Sequence, residues 1–308
     1  MNPFRVILCA DDGYHLDYLP IASAGWRKFF PEFKISLVVV GDRSWLEYWN
    51  FCGRWVDTLH VVRSIPGARA ANLAKIARLW ICGNFGQDIC TIHDIDFTPL
   101  QRDFYASKYI QWKFPYVMTM GKEVYYGNTG EEDKIPMSAL TAKSFVFQQI
   151  ANPDNLSFNE LYEYYSKPII GYTRGDIREC CGEGSFSDES LCRAIFDKFG
   201  RENLLDIERG YNLWTDTLDR ASWKVDRDRL LSGGYLEGHL HKVNTIWERD
   251  RCNVVAEYLG VKEHWQTGKH WTDITGQWDQ IRVDEADPAP ELTKASAFTE
   301  SLKLCQTL

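Results

Sequence analysis

The sequence predicts an α/β fold with a mostly parallel central sheet flanked by helices, a Rossmann-like arrangement, and three observations carry that expectation. First, apolar runs without polar alternation recur at 4–10 (FRVILCA), 34–42 (KISLVVVGD), 58–65 (TLHVVRSI) and 88–96 (DICTIHDID), the pattern of strands buried on both faces. Second, segments of helical periodicity fall between them. Third, each run meets a Gly, Pro or Asp stop.

The elements follow in order. The strand at 4–10 is ended by Asp11-Asp12-Gly13. A helix over 18–30 presents Leu19, Ala22, Trp26 and Phe29 and is stopped by Pro31. The helix over 68–83 carries apolar residues at 73, 76, 77, 80 and 81 and closes on Gly83. In the second half, 114–120 and 142–150 read as strands and 128–136 as a polar loop. A helix over 187–200 begins with Ser187 as a cap and Asp188 and Glu189 in its first turn. It presents Leu191, Ala194, Ile195 and Phe199 on one face. Residues 1–283 read as one domain, and 284–308, rich in Pro, Ala and acids, as a tail with a terminal helix.

Composition excludes several classes. The chain of 308 residues is 44% hydrophobic and 25% charged, as globular proteins are. A net charge of −8 argues against a nucleic-acid partner. The nine cysteines include no C-x-x-C, so neither a disulfide framework nor a zinc ribbon is expected, and a reducing compartment fits. The first residues do not form a signal peptide, and no run approaches the roughly 20 apolar residues of a membrane span. The expected location is cytoplasmic.

The stretch TIHDIDFTPL, residues 91–100, poses the functional question. In an extended chain, residues i and i+2 point the same way, so Asp94 and Asp96 are expected to project together at the carboxyl end of a strand, where α/β sheets bind ligands. Two adjacent carboxylates repel unless a cation or proton intervenes. The pair therefore fits a clamp for Mg²⁺ or Mn²⁺ with positions open to phosphate oxygens, or a solvated strand end. Asp94 to Thr98 also matches D-x-D-x-T, the nucleophile motif of haloacid-dehalogenase-like phosphatases. Here the motif follows three other strands, and Cys180 stands where the late acidic pair would need its second acid.

Three segments in order resemble GT-A-fold glycosyltransferases, particularly the branch containing glycogenin and the lipooligosaccharide galactosyltransferases. They are ADDGYHLDYLPIASAGWRKFFP (10–31), AKIARLWICGNFG (74–86) and DICTIHDIDFTPL (88–100). The resemblance spans about residues 4–100. It implies a metal-dependent glycosyltransferase, hexosyl or pentosyl, that moves a sugar from a nucleotide diphosphate sugar, UDP-sugar foremost, to a hydroxyl on a glycan or other acceptor. Residues 1–100 would handle the donor and 101–283 the acceptor.

By position, the resemblance implies that Ala10 and Asp11 meet the base and that Tyr14 stacks on base or ribose. Gly13 stands where that branch often has Asn. Arg78 would reach the diphosphate with Lys75 helping, and Asn72 and Arg69 are weaker candidates. Asp94 would touch ribose and metal, and Asp96 the metal. A further metal ligand is sought among His241, His239 and His264, with His270 competing. Asp188 or Glu189 would stand beside the anomeric carbon, as a general base if the enzyme inverts. A non-catalytic nucleotide-sugar-binding protein of the same fold is the alternative from another class.

Overall fold

The computed structural model describes residues 3–121, 135–169, 188–208, 210, 213–220, 223–240, 246–267 and 270–275. The tail at 284–308 lies outside the described residues. Strands β1 (Phe4–Asp11), β2 (Lys34–Val40), β3 (Thr58–Val62) and β4 (Ile89–Ile92) are those that the apolar runs predict. Helices α1 (Leu19–Phe29), α2 (Trp45–Cys52) and α3 (Ala70–Cys82) connect them. Helix α2 was not foreseen. It is set by a capping box in which Ser44 accepts from the Glu47 backbone N–H and Glu47 reaches back to Ser44 N.

The later elements are β5 (Phe97–Pro99), α4 (Arg102–Tyr109), β6 (Val117–Met120), β7 (Thr141–Lys143), α5 (Ser144–Ala151), α6 (Phe158–Ile169), α7 (Asp188–Phe199), β8 (Leu204–Ile207), β9 (Thr217–Leu218) and β10 (Glu237–His239). The expected strand at 142–150 is corrected. Only Thr141–Lys143 pairs in the sheet, and Ser144–Ala151 is helical, with Val146, Phe147 and Ile150 buried as a helix face. A short apolar run reads alike for a strand and a buried helix.

Among the described residues, the main sheet runs β3-β2-β1-β4-β7-β6-β8. Strands β1 to β4 are parallel, and β7 lies antiparallel between β4 and β6. This is the mostly parallel α/β sheet that the sequence predicts. Alternate residues feed two cores. Val6, Leu8, Leu37 and Val39 join α1 and Trp26 on one face, while Ile7, Val38 and Ile92 join α3, α5 and α7 on the other.

The chain steps from β1 to β2 to β3 in one direction, and β4 then returns to the far side of β1. The carboxyl ends of β1 and β4 thus flank a topological switch point, where such sheets form a crevice. A second small sheet, β5-β10-β9, stands beside that crevice. No helix among the described residues is long and apolar enough to cross a membrane.

Candidate active site

The crevice is a cavity of about 630 Å³. The end of β1 contributes Cys9, Ala10 and Asp11, α3 contributes Lys75 and Arg78, and the N-terminus of α7 contributes Asp188 and Glu189. The segment after β4 supplies Asp94 and Asp96, and the small sheet supplies Thr217 and His239. A second cavity of about 460 Å³, lined by Asp12, Gly41, Asp42, Arg43 and Ser44 among others, shares Asp11 as a wall.

Asp94 and Asp96 are not on a strand, which corrects the extended geometry expected for them. Strand β4 ends at Ile92, and the Phe97 N–H closes a turn on the Asp94 carbonyl at 3.1 Å. The turn sends the two carboxylates to different cations on the wall of one cavity. Asp94 meets Arg78, and Asp96 meets Arg220 and His239.

Arg78 is only 5% exposed. Its Nη1 donates to Asp94, and its Nη2 donates to Asp188 Oδ2 at 2.6 Å. A guanidinium is planar and always charged, so it can bridge two carboxylates where a lysine would serve one. Burial is the main cause that raises the Asp94 carboxyl; Arg78 pulls it back, but burial together with repulsion from Asp188 and Asp96 keeps it above its ordinary value. Burial also pushes Asp188 upward, but Arg78 and then Lys75 outweigh it and hold that carboxyl below its ordinary value.

Strand pairing places His239. β10 runs antiparallel to β5 with His239 opposite Phe97, their rings stack at 4.4 Å, and Leu240 N donates to the Asp96 carbonyl at 2.7 Å. This register brings His239 Nε2 to 3.2 Å from Asp96 Oδ2. Burial opposes ionisation of Asp96, but the contact with His239 and the nearby charges hold its carboxyl below the ordinary value.

At the end of β1, His15 Nδ1 lies 2.9 Å from Asp11 Oδ1, and the His15 ring stacks on Tyr14 at 4.2 Å. Burial lowers the His15 imidazole, yet the bond to Asp11 outweighs it and raises the group above its ordinary value. Ala10 and Asp11 line the cavity, whereas Tyr14 backs His15 and is not among the lining residues. Gly13 lets this turn close tightly, since a Cβ there would lie 3.2 Å from Asp11 Oδ1.

Some candidates fall elsewhere. Asn72 is buried and Arg69 precedes α3 as its N-cap, and neither lines the cavity. His264 packs against Trp55 at 4.7 Å. His270 Nε2 donates to the Trp265 carbonyl at 2.9 Å and is buried. Neither histidine lines the cavity. His241 lies outside the described residues.

Sequence reasoning missed His15 and Arg220. The i, i+4 spacing from Asp11 could have revealed the first. Nothing in the acidic surroundings of Arg220 marks it.

Two ligands at right angles on one divalent ion, each about 2.1 Å away, are about 3 Å apart, which is close to the Asp96–His239 separation. A carboxylate oxygen and an imidazole nitrogen suit such an ion. Among the described residues, no group of three or more His, Cys, Asp or Glu side chains is disposed to hold a metal. The fit is thus two protein ligands, with the remainder left to substrate oxygens or water.

No protein-family profile matches the chain, and no curated protein does. Solved structures do show likeness. Glycosyltransferases are among them. The galactosyltransferase LgtC, solved with donor and acceptor sugar analogues, is 12% identical at a TM-score of 0.45, covering 86% of this chain and 100% of LgtC. The glycosyltransferase GlyE of Streptococcus pneumoniae TIGR4, in its apo form, is 14% identical at 0.45, covering 94% of this chain and 66% of GlyE. The bifunctional glycosyltransferase WbbM, in its apo structure, is 12% identical at 0.42, covering 87% of this chain and 52% of WbbM. The chain thus spans just under two thirds of GlyE and about half of WbbM. At these scores the reading of the site rests on its own geometry.

Proposed function

We propose that the protein is a metal-dependent glycosyltransferase that moves a sugar from a nucleotide diphosphate sugar, a UDP-sugar foremost, to a hydroxyl of a glycan or other acceptor. One observation carries the reading. Residues from both halves of the chain converge on a single cavity with a buried guanidinium, a carboxylate–imidazole pair and an acidic helix start. Leaving-group stabilisation at one end and a carboxylate base at the other are what sugar transfer from a diphosphate requires.

The nucleoside would lie across Asp11, whose two flanking cavities offer room for base and diphosphate sugar. Arg78 and Lys75 would face the diphosphate. Asp96 and His239 would hold Mn²⁺ or Mg²⁺, and Asp94, held by Arg78, would face ribose and cation. The ion supplies charge neutralisation for the departing diphosphate. Residues 1–100 serve the donor in this reading, and 101–283 the acceptor.

In the transfer, the acceptor oxygen bonds to the anomeric carbon, the bond to the diphosphate breaks, and the acceptor proton passes to a base. Asp188 is committed to Arg78. Glu189 lines the cavity beside it and would be the base if the configuration inverts; if it is retained, the departing phosphate takes the proton. The anomeric configuration of the product, read by NMR, decides between these.

The phosphatase reading of D-x-D-x-T loses its threonine. Thr98 is fully buried beneath α1, with its hydroxyl donated to the Ile21 carbonyl at 3.4 Å, and it does not line the cavity.

A thermal-shift panel of nucleotide sugars with and without Mn²⁺ tests the proposal. One donor should raise the melting temperature only when Mn²⁺ is present. Stabilisation by beryllofluoride with Mg²⁺, and by no nucleotide sugar, would instead select the phosphatase. Metal-dependent nucleotide binding without turnover of any donor would select a binding protein.

A further inference from the structure

The carboxylate oxygen that a divalent cation would need already carries a cation of the protein's own. Asp96 Oδ2 accepts from Arg220 Nη1 at 3.1 Å, and the same oxygen faces His239 Nε2. The Asp96 side chain is 15% exposed, while that of Arg220 is 50% exposed. A solvent-side guanidinium thus lies over a nearly buried carboxylate.

The contrast with Arg78 is instructive. Its side chain is 7% exposed and bridges two carboxylates from different elements, so it is costly to dislodge. Arg220 reaches its partner from solvent, where an ion pair contributes little and the side chain moves freely. A divalent ion within bonding distance of Asp96 Oδ2 would repel a guanidinium 3.1 Å from that oxygen, because the two positive groups would share one carboxylate oxygen at short range. Of the two arginines on the paired aspartates, Arg220 is the one that can yield.

We propose that Arg220 is an internal counter-ion, holding Asp96 in the cation-free protein and displaced when a divalent cation binds Asp96 and His239. It thereby sets the cation affinity of the site. This rests on the cation reading above. The absence of a bound ion need not then leave Asp96 as an uncompensated charge in a closed site.

Mn²⁺ binding, followed by the electron paramagnetic resonance of the free ion, tests the assignment in the full-length protein with and without UDP. Arg220→Gln should bind Mn²⁺ about tenfold more tightly than the parent, the effect of removing one nearby positive charge. Arg220→Lys should stay near the parent, and Asp96→Asn should lose binding. Circular dichroism melting confirms that each variant is folded. Unchanged or weaker binding by Arg220→Gln would overturn the role of Arg220 while leaving the cation site intact. Failure of both parent and Arg220→Gln to bind Mn²⁺ would overturn the cation reading and this inference with it.

Discussion

Arg78 Nη2 donates to Asp188 Oδ2 at 2.6 Å, joining α3 to a residue 110 positions later at the first turn of α7. The same guanidinium holds Asp94. The basic helix, the aspartate pair and the late acidic helix are therefore one electrostatic unit. Arg78→Met should leave two carboxylates facing each other and lower unfolding stability by about 3 kcal/mol, the lower end for buried pairs because both carboxylates keep some water contact. Arg78→Lys should fold but bind the donor at least tenfold more weakly, since one ammonium cannot serve both partners. Urea unfolding and nucleotide titration check the two outcomes.

Asp188 and Glu189 are neighbours with different expected signatures. Asp188→Asn loosens Arg78, so donor KM should rise more than kcat falls. Glu189→Gln removes the proposed base, so kcat should fall about a hundredfold or more in an inverting enzyme, with donor affinity nearly unchanged. Steady-state kinetics on both variants would show the split. Equal losses in both parameters for both variants would argue against separate roles.

Thr98 tests the motif that competes for the same residues. Its Oγ1 would lie 1.9 Å from a Cβ placed on Gly25, and the Pro99 carbonyl would lie 3.0 Å away. Gly25 therefore lets α1 approach β5. Gly25→Ala should destabilise the fold by about 1–3 kcal/mol through overpacking. Adding Thr98→Ala should recover part of that loss, because the nearest clash is removed while the Pro99 carbonyl remains. Thr98→Val alone should leave turnover close to the parent's, whereas a phosphatase would lose it.

Much of this was legible in the sequence because parallel strands buried on both faces must be continuously apolar. The runs ending at Asp11 and before Asp94 gave both walls of the switch-point crevice. The residues at 142–150 were misread since a short apolar run serves a strand or a buried helix alike. The placement of Asp94 and Asp96 was misread for another reason. The turn after Ile92 depends on β5 pairing with β10, nearly 140 residues away, and no local pattern encodes that register. The same pairing chose His239, and tertiary approach alone brought Arg220 to Asp96. His270 was a plausible ligand by its neighbours in sequence, but its surroundings are a structural clasp.

That clasp yields a prediction on pH. Asp17 Oδ1 accepts from Trp271 N at 2.6 Å and Asp17 Oδ2 accepts from Thr272 Oγ1 at 2.7 Å, while Trp271 Nε1 donates to Asp12 Oδ1 at 2.9 Å. Residues 270–275 thus fasten the turn that follows β1. Burial lowers the His270 imidazole from an ordinary value of 6.5 to about 4. Between those values the unfolded chain binds the extra proton, so this group's contribution is complete above pH 6.5 and is lost as pH falls toward 4. Burial raises the Asp17 carboxyl from 3.8 to about 6. There the folded chain binds the extra proton, so its contribution is largest below pH 3.8 and is lost as pH rises through 6. The two slopes oppose each other, and the parent should show little net dependence from this clasp between pH 4.5 and 6.5. His270→Gln removes one slope and exposes the other. Its destabilisation relative to the parent should be larger at pH 6.5 than at pH 4.5 by about 2 kcal/mol, measured by urea unfolding at both values. An equal cost at the two pH values would mean that His270 does not stay neutral in the fold.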